Sequence, residues 1–92
     1  MWHVYIIKCA DGNLYTGVTT DIPRRVNRHN AKKGGAYTRI RTPVTLVYSE
    51  KQPTRSAALK RESQIKRWSK QKKLALISQD KATLRALSVS RD

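Results

Sequence analysis

Three side chains early in the chain could act together on a phosphate: Tyr15, Arg25 and His29. A phenol can serve as a base once its proton has a destination. A guanidinium clamps an anion, and an imidazole accepts a proton near neutral pH. Arg25 and His29 are four residues apart, so on a helix they share one side. Tyr15 precedes Arg25 by ten residues and lies in a strand-like run. Asp21 is a suitable helix N-cap, and Pro23 suits the first helical turn, where its missing N–H costs nothing. The stretch 14–29 therefore reads as a strand turning into a helix, with three reactive groups converging near the turn. A half-buried tyrosine beside a solvated basic helix face is the competing reading, and residue types by themselves favour it.

A fourth candidate is conspicuous by its isolation. Over 51–79 the single acidic residue is Glu62, set among Lys51, Arg55, Lys60, Arg61, Lys66, Arg67, Lys70, Lys72 and Lys73. Glu62 also falls at helical spacing with Ala58 and Ile65, on the side expected to face the protein. An ion pair with a core-facing arginine such as Arg25 would explain it. So would ligation of one hard divalent ion, since one carboxylate with waters and a substrate phosphate suits Mg²⁺. A protein that only binds nucleic acid gains nothing from an acid in a basic face, which favours the metal.

The elements that must hold these groups can be read in order. Residues 2–9 form a strand, 11–13 a turn and 14–19 a second strand, giving a β-hairpin. Parity decides whether Tyr5 joins Tyr15. A two-residue loop pairs Cys9 with Leu14 and separates the tyrosines, whereas a three-residue loop pairs Cys9 with Tyr15 and puts both on one face. A shared site requires the odd-length loop. A first helix is expected over 21–32, ended by Gly34 and Gly35 as C-cap and flexible exit. The basic loop 34–41 carries Tyr37, Arg39 and Arg41, a mixture suited to a nucleic-acid backbone and a stacked base, although Tyr37 is equally readable as packing. A third strand over 44–49 puts Val44, Leu46 and Tyr48 on one face. Thr54 caps a second helix reaching about 68, and Ser69 caps a third over 70–78. The tail 80–92 carries Leu84 and Leu87 at helical spacing. The fold class is thus α+β, a small, mainly antiparallel three-stranded sheet flanked by helices in the order β-β-α-β-α-α. One domain spans 1–79.

Composition narrows the partner. Lys plus Arg number 20 and Asp plus Glu 6, a formal net charge of +14 on 92 residues. Such a balance points to a polyanion, nucleic acid first, with a ribosomal or merely basic protein as the bland alternative. The candidate contacts are Arg24, Arg28, Lys32, Tyr37, Arg39, Arg41, Lys66 and Lys70. The lone Cys9 lies in an apolar run and reads as a core thiol, with no disulfide-linked partner. The two histidines, His3 and His29, offer no zinc spacing. No signal peptide and no run of membrane-spanning length is visible, so the expectation is a cytoplasmic protein, a monomer or weak dimer, with no membrane partner.

Taken together, these residues resemble the GIY-YIG endonuclease family. His3-Val4-Tyr5 stands at the first motif and Tyr15-Thr16-Gly17 at the second. Thr19, Asp21, Arg25 and His29 keep the family's spacing, and Glu62 falls in the helix that carries its metal-binding glutamate. The segments Gly35-Ala36-Tyr37-Thr38-Arg39 and Pro43-Val44-Thr45-Leu46-Val47-Tyr48 are similar to the small stand-alone bacterial members. His3 replaces the first-motif glycine, and no asparagine follows Asn30, where larger members use one near the site. The resemblance implies a metal-dependent endonuclease acting on DNA with low sequence specificity, in repair or recombination. It further implies Tyr15 as general base and Tyr5 as the group that positions the attacking water. Arg25 would bind the scissile phosphate, His29 would accept the proton of Tyr15, and Glu62 would hold one Mg²⁺ or Mn²⁺. The alternative is a non-catalytic basic module that binds DNA or structured RNA.

Overall fold

β1 (Trp2–Lys8) carries an unbroken buried run, Val4, Tyr5, Ile6 and Ile7. A strand with one wet face alternates, so continuous burial demands cover on both faces. The sheet supplies it: in the computed structural model, which describes residues 1–79, β1 lies between β2 (Leu14–Thr19) and β3 (Thr45–Gln52), both antiparallel to it. One face of β1 sends Val4 and Ile6 into a cluster with Ala58, Ile65 and Leu76 from α3 (Arg55–Lys66) and α4 (Lys70–Ser78). The other face sends Tyr5 and Ile7 into a second cluster with Cys9 and Val44, against which Tyr15 and Val26 pack. Val26 belongs to α1 (Ile22–Asn30).

The expected order β-β-α-β-α-α is present, with a one-turn α2 (Ala36–Arg39) inside the segment read as a basic loop. The 80–92 tail and its Leu84 and Leu87 lie outside the described residues. The hairpin has the required odd parity, but through a longer connection, residues 9–13, so Tyr15 opposes Ile7 rather than Cys9. Ile7 and Tyr5 are two apart on β1, so both tyrosines do lie on one face. Cys9 is the expected core thiol, 3% exposed.

Three local readings are corrected. β3 runs to Gln52, and its faces are reset by an extra residue: Tyr48 opposes Ile6 but Leu46 opposes Ile7. That bulge at Val47 puts Leu46 and Tyr48 on opposite faces. Leu46 is consequently exposed, and Val44 is buried ahead of the strand. The glycines do not cap α1, which closes on Ala31 before Lys32 takes the left-handed conformation with φ 64°. The caps at the other ends match expectation. Asp21 accepts from the Arg24 amide, Thr54 from Ala57 and Ser69 from Lys72.

Candidate active site

Strand β1 presents Tyr5 to the face that α1 covers, and α1 places Arg25 and His29 one turn apart above it. The Tyr5 hydroxyl lies 3.0 Å from His29 Nε2 and accepts from Arg25 Nε at 3.3 Å. His29 Nδ1 is 2.7 Å from Thr38 Oγ1 on α2. Tyr5, His29 and Thr38 are fully or almost fully buried. A neutral imidazole has one donor and one acceptor. Arg25 can only donate, so the arrangement that uses every group runs Arg25 to Tyr5 to His29 to Thr38, with Nε2 as acceptor and Nδ1–H as donor.

The electrostatics agree. Burial holds the His29 pKa below the ordinary histidine value, and the Arg25 charge lowers it further, so the ring is neutral near pH 7. Burial pushes the Tyr5 phenol up. The Arg25 hydrogen bond and charge pull it down, and Tyr15 and Glu62 push it up again.

Two glycines give this network its room. Gly17 opposes Tyr5 across the hairpin, and a Cβ there would sit 2.5 Å from the Tyr5 hydroxyl oxygen. A Cβ on Gly34 would overlap the His29 ring, and the Gly34 carbonyl accepts from Arg25 Nη2 at 3.2 Å. Gly34, read from sequence as a helix stop, is instead a close contact for the imidazole.

Tyr15 enters from β2. Its ring meets His29 edge-on with centroids 5.5 Å apart and stacks on Tyr37 at 5.7 Å. Its hydroxyl makes no hydrogen bond among the described residues. The direct hydrogen-bond partner of His29 is thus Tyr5, where the sequence reading linked His29 to Tyr15. Tyr37, 40% exposed, stacks on Tyr15 and has the Arg41 guanidinium 4.2 Å above its ring. Arg41 in turn is bound to Asp11 at 3.0 Å.

From α3 come Glu62 and Lys66. Ala58 and Ile65 are fully buried, and the Glu62 side chain is 18% exposed, so this face does point inward. Its ion-pair partner is Lys66 at 3.3 Å, one turn along, in place of the Arg25 considered from sequence. Lys66 Nζ also lies 5.7 Å from the Tyr15 ring centre. Glu62 Oε1 has no hydrogen bond or ion pair among the described residues. Among the described residues no three His, Cys, Asp or Glu side chains cluster as a metal cage. A single carboxylate completed by waters and a phosphate is the donor set that a hard divalent ion tolerates. The partly buried arginine–carboxylate pair that sequence missed is elsewhere: Arg61 Nε donates to Glu50 at 3.0 Å.

The remaining cations are spread over the surface. Arg24 and Arg28 join Arg25, Thr19, Thr20 and Asp21 around a depression of about 290 Å³ beside α1. Lys32, Arg39 and Lys70 are exposed. His3, at the degenerate motif position, is half-buried in β1 between Thr19 and Lys51, where a side chain fits the pleat. Thr38 is the site residue that residue-type reasoning missed, since nothing in its spacing ties it to His29.

Residues 1–75 match the family model described as the GIY-YIG catalytic domain. A UPF0213 protein of Staphylococcus saprophyticus is 56% identical over 77 residues, covering 84% of this chain and 94% of that relative. A UPF0213 protein of Staphylococcus aureus is 54% identical over 76 residues, 83% of this chain and 93% of its own. The solution NMR structure of a UPF0213 protein from Bacillus halodurans superposes with a TM-score of 0.55 at 43% identity, covering 85% of this chain and 84% of that one. Among the described residues no helix is long and apolar enough to cross a membrane.

Proposed function

Because this chain belongs to the GIY-YIG catalytic domain family, we propose that it is a metal-dependent endonuclease that hydrolyses DNA phosphodiester bonds with low sequence specificity, in repair or recombination. One observation carries the reading. Tyr5, Arg25 and His29 form a hydrogen-bonded chain in which Tyr5 and His29 are buried, and the Tyr15 ring packs edge-on against His29. A binding surface has no use for a buried phenol joined to a neutral imidazole.

In this reading Arg25 binds the scissile phosphate and the charge that builds on it. Tyr15, whose hydroxyl is uncommitted, is the base that meets the attacking water. Tyr5, His29 and Thr38 hold the surrounding polar frame. A free phenol has a pKa near 10, so its proton needs an acceptor at pH 7. His29 Nε2 is engaged by Tyr5 and Nδ1 by Thr38, so a proton from Tyr15 leaves to solvent, whereas one from Tyr5 passes directly to the neutral His29. Glu62 would hold one Mg²⁺ or Mn²⁺, which when bound supplies Lewis-acid stabilisation of the phosphate and the leaving oxygen. The Tyr5–His29 hydrogen bond favours a second assignment, in which Tyr5 is the base and Tyr15 orients the water. Arg24, Arg28, Lys32, Arg39, Lys66 and Lys70 are the candidate backbone contacts.

The test is plasmid cleavage with and without Mg²⁺ or Mn²⁺, run beside Glu62→Ala, with duplex binding followed in parallel. Cleavage should need the metal and vanish in the variant while binding persists. Binding without cleavage by the wild type would favour the non-catalytic module. Tyr15→Phe and Tyr5→Phe separate the two assignments, since the true base loses turnover without losing affinity.

A further inference from the structure

Tyr15 has no hydrogen bond among the described residues to fix its hydroxyl, and the last torsion of a tyrosine is broad. What orients it must be packing. A ladder of contacts reaches it from the hairpin loop. Asp11 is held in that loop by Asn13, whose backbone and side-chain nitrogens donate to it at 3.0 and 3.1 Å. Asp11 Oδ2 accepts from Arg41 Nε at 3.0 Å. Arg41 Nη1 donates to the Tyr37 carbonyl at 2.8 Å, and its guanidinium lies 4.2 Å over the Tyr37 ring. The Arg41 carbonyl accepts from Ala10 at 2.8 Å, so both ends of that residue are tied to the loop. The Tyr37 ring stacks on Tyr15 with an interplanar angle of 26°.

We propose that Arg41, anchored by Asp11, is a positioning residue that sets the Tyr15 ring through Tyr37. The proposal rests on the reading that Tyr15 belongs to the active centre. Asp11 is the discriminating residue. A carboxylate beside a nucleic-acid surface repels phosphate, so a binding role gives it no reason to be there, whereas its bond to Nε, with that of the Tyr37 carbonyl to Nη1, fixes the guanidinium plane. Arg41 read as a phosphate contact would need only its charge. Read as a rung of the ladder it needs its planar shape, which lysine lacks.

The experiment compares wild type, Asp11→Asn, Arg41→Lys and Tyr15→Phe in metal-dependent cleavage of a short duplex, with the tyrosine ring resonances recorded by NMR. Asp11→Asn and Arg41→Lys should each lower kcat by about 3–10-fold, the scale of a small misplacement of a reacting group, with KM unchanged or lower. The Tyr15 ring signals should shift and their cross-peaks to Tyr37 weaken. An Arg41→Lys variant with full kcat, a rise in KM without loss of kcat, or unmoved Tyr15 signals would overturn the proposal. Cleavage that depends on Tyr15 but ignores Asp11 and Arg41 overturns the ladder and leaves the nuclease reading standing. A wild type that does not cleave removes the nuclease reading, and the ring signals still decide whether Asp11 and Arg41 orient Tyr15.

Discussion

Gly17 has no side chain because the Tyr5 ring occupies the space one would fill. The ring cannot yield, since its hydroxyl is bonded to both His29 and Arg25. Gly17→Ala should therefore destabilise the protein by about 1–3 kcal/mol in urea unfolding, the usual cost of overpacking, and reduce cleavage as well. His29 makes a pH prediction with a definite sign. Burial, then the Arg25 charge, holds its folded pKa below the ordinary value of 6.5. The unfolded state therefore takes up the proton first as the solution is acidified. Stability from the neutral ring is complete above about pH 6.5 and is lost as pH falls below it, at up to about 1.4 kcal/mol per pH unit. Urea unfolding of wild type and His29→Gln across pH 5–8 should show the two curves converging on the acid side. Curves that stay parallel would mean that His29 is not held neutral.

At the level of elements, the helices are fixed by short polar caps that are independent of the chemistry. Ser69 Oγ accepts from the Lys72 amide at 3.2 Å and Thr54 Oγ1 from Ala57 at 3.1 Å. Ser69→Ala should cost about 1 kcal/mol in denaturant unfolding and leave kcat unchanged, because α4 contributes no group to the Tyr5–His29 network. α2 is different in kind. It has one turn, no side-chain cap, and a start at Gly35 with φ 150°. Its propensity could not hold it. It is held by what it carries: Thr38 on His29 and Tyr37 on Tyr15. Gly34→Ala should loosen it, seen as faster amide exchange across residues 36–39 and a shifted His29 ring resonance.

The whole molecule is a cation, and its charge of +14 governs association rather than fold. Binding to duplex DNA should weaken steeply with salt. Replacing Arg24 and Arg28 together by glutamine should reduce the slope of log affinity against log salt by about 2, one for each phosphate left without its arginine. Turnover at saturating substrate should survive, since Arg25 remains. A slope that does not change would place the phosphate backbone on another face.

Much of this protein was legible in the residues alone. Hydrophobic runs gave three strands, Asp21, Thr54 and Ser69 gave the helix starts, and the four-residue spacing of Arg25 and His29 put both on one side of α1. These are local properties, set within a turn of helix or a few residues of strand. The odd parity of the hairpin joined Tyr5 to Tyr15 for the same reason, although the longer connection moved the partner by two residues. Other features depended on tertiary contact. The bulge at Val47 separated Leu46 from Tyr48, because the register of β3 answers to β1 and not to its own alternation. Glu62 met Lys66, and the arginine–carboxylate pair formed instead between Arg61 and Glu50. Gly34, just after α1, makes room for the His29 ring, a use that no local pattern signals. Whether His29 bonds Tyr5 or Tyr15 was likewise decided in three dimensions, because both phenols share one face and only the path of α1 over the sheet selects between them.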